Sequence, residues 1–159
     1  MWQNYLVNVY AITFAILIII YLGGLFTWKT TLLFAGLLTI MDIILVLVTG
    51  SMVSAAKQIT GLHLPVIVYL PRIPIEFTPA GGFYGTGLGL GDFFFAGLIA
   101  TQSYKKFGRN FAILSAIAMA VSFGIYEVFW LNSGLMAFPG TLMIICGWLP
   151  LVLIKSLKR

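Results

Sequence analysis

From Tyr5 to Phe26 the chain runs without a single charged side chain, and four more stretches nearly repeat the feat. They extend from Thr31 to Ala55, from Gly85 to Ser103, from Phe111 to Leu131 and from Leu135 to Ile154. The hydrocarbon core of a bilayer, roughly 30 Å thick, takes about 20 apolar residues per helix, so each stretch has the length and character of a span. Only 8% of the 159 residues are charged and 61% are hydrophobic, with a mean hydropathy of +1.08. Soluble domains carry about 25% charged residues, so too few are present here to cover a water-facing surface. The expected fold is an all-α polytopic membrane protein. It has five transmembrane helices in one membrane-embedded domain over residues 1–159, with a short β-prone segment between the second and third spans.

The connections carry the topology signals. Lys29, Lys105, Lys106, Arg109, Lys155, Lys158 and Arg159 fall on one side of a five-span arrangement, and Lys57 and Arg72 on the other. Basic residues accumulate in short cytoplasmic connections, which places the C-terminus in the cytoplasm and the long connection from Gln58 to Gly82 outside. These cations read as topology determinants and lipid-headgroup contacts, not as a nucleic-acid patch. Trp28, Tyr104 and Trp130 suit interfacial aromatic belts. The first residues lack the basic region of a cleaved signal peptide. Cys146 is alone, so no intrachain disulfide is expected, and a lone His63 offers no metal-ligand spacing; no metal or cofactor is expected. Within the long connection, Val66 to Leu70 is β-branched and aromatic, bounded by Pro65 and Pro71, and too short to span. It reads as a strand pairing with Ile73 to Phe77, or as an apolar loop on the membrane surface.

Two carboxylates stand out inside the apolar runs. Asp42 is near the middle of the second stretch, and Asp92 ends the series Gly85, Gly87, Gly89, Gly91 in the third. Charges at such depth are costly and mark function. The two spans run in opposite directions, and a rise of about 1.5 Å per residue puts both groups at similar depth. The glycines weaken a helix by about 1 kcal/mol each, in return for close backbone approach beside the charge. Thr39, Thr49, Ser51 and Ser54 add small or polar contacts on the Asp42 helix. Two carboxylates at close range share a proton, so one can take a proton from water while the other donates to a carbonyl oxygen. That is the chemistry of an aspartyl protease. Spacing alone leaves open a non-catalytic membrane subunit or an ion-permeation protein, because intramembrane Asp residues also line proton and ion paths. Glu127, near a helix end, reads as interfacial.

The stretch Asp42-Ile43-Ile44-Leu45-Val46-Leu47-Val48-Thr49-Gly50-Ser51-Met52-Val53 resembles the first catalytic helix of presenilin and signal peptide peptidase family intramembrane aspartyl proteases, archaeal ones in particular. Gly89-Leu90-Gly91-Asp92 matches their GxGD motif, and Met136-Ala137-Phe138-Pro139 falls where they carry Pro-Ala-Leu-Pro. Leu64 to Pro71 is similar to the proline-bounded segment after the first catalytic helix. Met41 stands where the family usually has Tyr, and Met136 and Phe138 replace Pro and Leu. The match spans the family's last five of nine helices; the first four have no counterpart, which leaves a compact form, a piece of a longer chain and an oligomer all open. Prepilin peptidases also use GxGD, but they usually follow it with Lys, where Phe93-Phe94-Phe95 stands here. The resemblance implies an aspartic endopeptidase acting on transmembrane-helix substrates, with Asp42 and Asp92 catalytic. It also implies that Gly89, Leu90, Gly91, Ala137, Phe138 and Pro139 border the substrate, and that Val66, Ile67 and Val68 pair with it by β-augmentation. The expected orientation resembles signal peptide peptidases more than presenilins.

Overall fold

A computed structural model describes residues 4–49, 67–71, 77, 79, 85–133 and 139–157. Five helices occupy most of this length: Asn4–Leu25 (α1), Trp28–Ile43 (α2), Leu90–Phe107 (α3), Arg109–Ser133 (α4) and Gly140–Leu157 (α5). Four of them, α1, α2 with its extension, α4 and α5, are long and apolar enough to cross a membrane. The fifth, α3, carries Asp92, Gln102, Lys105 and Lys106 within 18 residues. It is also the helix that packs against all four others. Gln102 is buried and Asp92 half-buried, where a bilayer tolerates polar groups, while Lys105 and Lys106 are exposed near the helix end.

Each helix turns a narrow stripe toward this centre. Phe95, Leu98, Ile99, Gln102 and Ser103 are buried on α3, and Asp92 continues the stripe one turn earlier. Val7, Ala11 and Ala15 recur at four-residue spacing on α1, and small side chains let it lie close to α3. Thr31, Ala35, Thr39 and Asp42 form the buried stripe of α2, with the Thr39 hydroxyl donating to the Ala35 carbonyl of its own helix. Trp148 on α5 donates its indole N–H to Ser103 Oγ at 3.0 Å, so a buried polar pair ties α5 to α3. A Cβ at Gly147 would lie 2.5 Å from the Ala118 carbonyl oxygen, which makes that position the point of closest α4–α5 approach among the glycines. By contrast, α1 packs mainly on α3 and on the strand Ile67–Pro71, more than on its sequence neighbour α2.

The connections hold the helices in phase. Thr27 caps α2 through a reciprocal capping box with Thr30. Gly108, at φ +90°, joins α3 to α4 in a single residue, a backbone conformation that a side chain would strain. Helix α2 does not end at Ile43 but widens into a π-helical turn, Ile44–Val48, directly after Asp42. Such turns are rare and occur frequently at functional sites.

The described basic residues Lys29, Lys105, Lys106, Arg109 and Lys155 lie in the first or last turns of their helices. Lys105 donates to the Gly23 carbonyl at 2.6 Å, joining the end of α1 to the end of α3. Lys106 sits 4.5 Å from the ring of Trp28. Trp28 is not a plain belt residue. Its ring packs against Phe107 and Trp148, so it closes the basic end of the bundle from inside.

Several boundaries differ from expectation. The strand anticipated from Val66 to Leu70 is present as Ile67–Pro71 (β1), but its partner is Gly85–Gly89 (β2), paired antiparallel. Ile73 to Phe77 was the expected partner; of that stretch only Phe77 is described. Gly85, Gly87 and Gly89 therefore do not open a helix. Every second residue being glycine makes a poor helix former, while an extended ladder satisfies the same backbone groups without help from side chains. The second span, expected from Thr31 to Ala55, starts three residues earlier, and residues 50–66 lie outside the described part. The fourth runs through Asn132 and Ser133, where a tight turn was expected. The last helix starts at Gly140, not at Leu135, just after the buried Pro139.

Candidate functional site

The two aspartates approach the same place from different helices. Asp42 lies on the last turn of α2, and its Oδ2 accepts hydrogen bonds from Thr141 Oγ1 at 2.6 Å and from the Thr141 backbone N–H at 3.2 Å. The first four N–H groups of a helix have no partner within it, so Asp42 caps α5 from outside. Asp92 touches the preceding residue. A Cβ built on Gly140 would stand 2.6 Å from Asp92 Cγ and Oδ2 and 2.8 Å from Oδ1. Only a residue without a side chain lets the carboxylate come so near. Asp92 also lies within electrostatic range of Asp42.

Asp92 is the third residue of α3, in its first turn, and not deep within a helix as the run of glycines suggested. This placement bears on how a membrane protein holds two carboxylates together. Helix N-termini carry partial positive charge and stabilise nearby anions. Asp92 has the N-terminus of its own helix, and Asp42 has that of α5. Both carboxylates also stand at a similar distance from the basic helix ends. Asp42 lies thirteen residues beyond Lys29, and Asp92 thirteen residues before Lys105. At about 1.5 Å per residue both stand about 20 Å from the basic end.

The other candidates sort by position. Gly89 is the N-cap of α3, and a Cβ there would lie 3.3 Å from Asp92 Oδ2. Leu90 is half-buried and Gly91 exposed, both beside the carboxylate in sequence. Pro139 is fully buried at the start of α5, next to the glycine that faces Asp92. Val66, Ala137 and Phe138 lie outside the described residues, as do Ser51, Ser54, His63 and the side chain of Glu127. Ile67 and Val68 are in β1, where they pair with Gly89 and Leu88. Thr49 donates its hydroxyl to the Leu45 carbonyl. Cys146 is exposed, 3.8 Å from the Tyr126 hydroxyl. Among the described residues no three His, Cys, Asp or Glu side chains come together as metal ligands would. Gly140 and Thr141 are the site residues that the sequence did not single out. The only signal available was the order Pro139-Gly140-Thr141 ahead of an apolar run, a combination common at helix starts.

The hairpin leads straight into this site, because β2 ends where α3 begins. Asn8 on α1 holds its other strand. The Asn8 amide donates to the Tyr69 carbonyl and accepts from the Tyr69 N–H, both at 2.7 Å. Those two Tyr69 groups therefore point toward α1 and away from β2. In an antiparallel ladder the residues alternate, so Val68 and Leu70 exchange bonds with Leu88 and Thr86. On β2 the alternation leaves Gly85 and Gly87 with backbone groups directed outward. Among the described residues no third strand covers that edge.

No protein-family model matches the chain, and no curated protein matches it.

Proposed function

We propose that the protein is an intramembrane aspartyl endopeptidase that cleaves transmembrane-helix substrates with water activated between Asp42 and Asp92. The observation that carries the reading is the convergence of two carboxylates from apolar helices on Gly140 and Thr141, at the start of α5. In the resting pair one proton is shared. Asp42 takes a proton from water as the water oxygen bonds to the peptide carbonyl carbon, and Asp92 gives its proton to the carbonyl oxygen. A neutral gem-diol results. Its collapse breaks the C–N bond: Asp42 passes its proton to the leaving nitrogen and Asp92 regains one from a gem-diol hydroxyl. A carboxylic acid and an amine leave, and the pair is restored.

The same reading assigns α3 as a fifth span, sheltered from lipid by the other four helices. Its orientation follows from the basic helix ends, which face the cytoplasm with the C-terminus. A helical substrate must unwind before its peptide bond is reachable, and its freed backbone groups find no partners in lipid. The outward edge of β2, at Gly85 and Gly87, supplies them by strand addition one step from Asp92. Strand β1 gives one edge to β2 and, at Tyr69, the other to Asn8, which favours strand addition at β2 over addition at Ile67 and Val68.

Reconstitution with a single-span substrate tests the proposal. The parent should cleave it, and Asp42→Asn and Asp92→Asn should each abolish cleavage. Cleavage persisting in either variant rules out the shared-proton mechanism. A folded parent that cleaves nothing leaves the carboxylates to an ion-conducting or subunit role.

A further inference from the structure

We infer that Thr141 is a positioning residue that sets which carboxylate acts as the base, an inference that rests on the aspartate-pair reading above. Both of its donors, the hydroxyl at 2.6 Å and the backbone N–H at 3.2 Å, converge on one oxygen, Asp42 Oδ2. An oxygen that accepts two hydrogen bonds in this way has no place for the shared proton. The proton is confined to Asp42 Oδ1 and the Asp92 carboxylate, and among the described residues neither Oδ1 nor Asp92 accepts another hydrogen bond. Oδ1 is thus the face that water meets. Thr141 is itself buried, at 4% exposure, so its hydroxyl does not exchange this partner for solvent. Hydrogen bonds to a charged group are stronger than neutral ones, and they fix direction as well as energy.

The backbone N–H sets the distance of α5 from Asp42, and any residue at 141 supplies it. The hydroxyl is particular to Thr or Ser. It holds the carboxylate plane against rotation about the Cβ–Cγ bond, which would otherwise present either oxygen to the water. Among the described residues no third group takes this part: Thr39, one turn earlier on the same stripe, is committed to the Ala35 carbonyl. Thr141 does not touch the reacting atoms. It acts through Asp42.

The test compares Thr141→Val, which keeps the branched shape and loses the hydroxyl, with Thr141→Ser, which keeps the hydroxyl. Active sites are counted by titration with a transition-state-mimicking aspartyl protease inhibitor, and kcat is expressed per titrated site. Loss of one hydrogen bond to a charged group corresponds to about a ten- to hundred-fold fall in per-site kcat for Thr141→Val, with KM unchanged. Thr141→Ser should return to within about threefold of the parent on the same scale. A merely structural threonine would lower the number of titratable sites and leave per-site kcat alone. Unchanged per-site kcat in Thr141→Val, or a Thr141→Ser variant as slow as Thr141→Val, overturns the inference while Asp42 and Asp92 stay essential. Cleavage surviving in Asp42→Asn or Asp92→Asn, or a parent that cleaves nothing, instead removes the aspartate-pair reading and takes this inference with it.

Discussion

Gly140→Ala separates the close approach of Asp92 from the ordinary behaviour of a glycine in a helix. Gly140 is the first residue of α5, and on helix propensity alone alanine should stabilise it by up to about 1 kcal/mol. The local geometry argues the other way. The new Cβ would stand 2.6 Å from Asp92 Cγ and Oδ2, against an ordinary contact of 3.4 Å or more, so the carboxylate must retreat by roughly 0.8 Å. Overpacking of this kind costs about 1–3 kcal/mol, which outweighs the propensity gain. A displacement near 1 Å in a reacting group can cost about a hundredfold in rate. The expected variant folds, melts slightly below the parent and cleaves about a hundredfold more slowly per inhibitor-titrated site. A Gly140→Ala protein that melts above the parent and retains full per-site activity would show that Asp92 does not depend on the gap at Gly140. The site geometry built above would then be wrong at its centre.

Two further outcomes follow from the hairpin. Gly87→Pro removes an outward N–H that β1 does not use, so β1–β2 should persist while cleavage falls; Val68→Pro removes a bond to Leu88 and should disrupt the hairpin itself. Hydrogen exchange at β1 amides distinguishes the two, and full cleavage by Gly87→Pro would refute strand addition at this edge. Asn8→Ala leaves both Tyr69 backbone groups without partners, at about 1–3 kcal/mol, and should speed exchange at the Tyr69 amide; unchanged exchange there would mean the clamp is not formed in the bilayer.

The membrane class was readable because the apolar runs match bilayer thickness and leave no other fold for so few charges. The approach of Asp42 and Asp92 to one level was readable too, since it needs only the helix rise and the place of each within its apolar stretch. The strand at Ile67 was readable from β-branched residues between prolines, but its partner was not. Alternating glycines carry no side chains to reveal which face of a strand is buried, and in an apolar chain they look equally like a flexible helix start. Register then depended on contacts distant in sequence, from Asn8 to Tyr69 and from Tyr69 to Gly87. Thr141 was hidden for a similar reason. Its role comes from a carboxylate 99 positions away, and a threonine opening a helix is unremarkable until that partner is placed.

The Asn8 clamp makes the hairpin a passenger of α1. Because α1 is linked to α2 by Phe26 and Thr27 and packs mainly on α3, a tilt of α1 would carry β1 and, through the ladder, β2, which ends at the residue before Leu90. Bilayer thickness, one influence on the tilt of a lipid-facing helix, is thereby linked to the carboxylate at Asp92. If the protein is the endopeptidase proposed above, its turnover should respond to the lipid composition of the membrane, mechanically, through one asparagine.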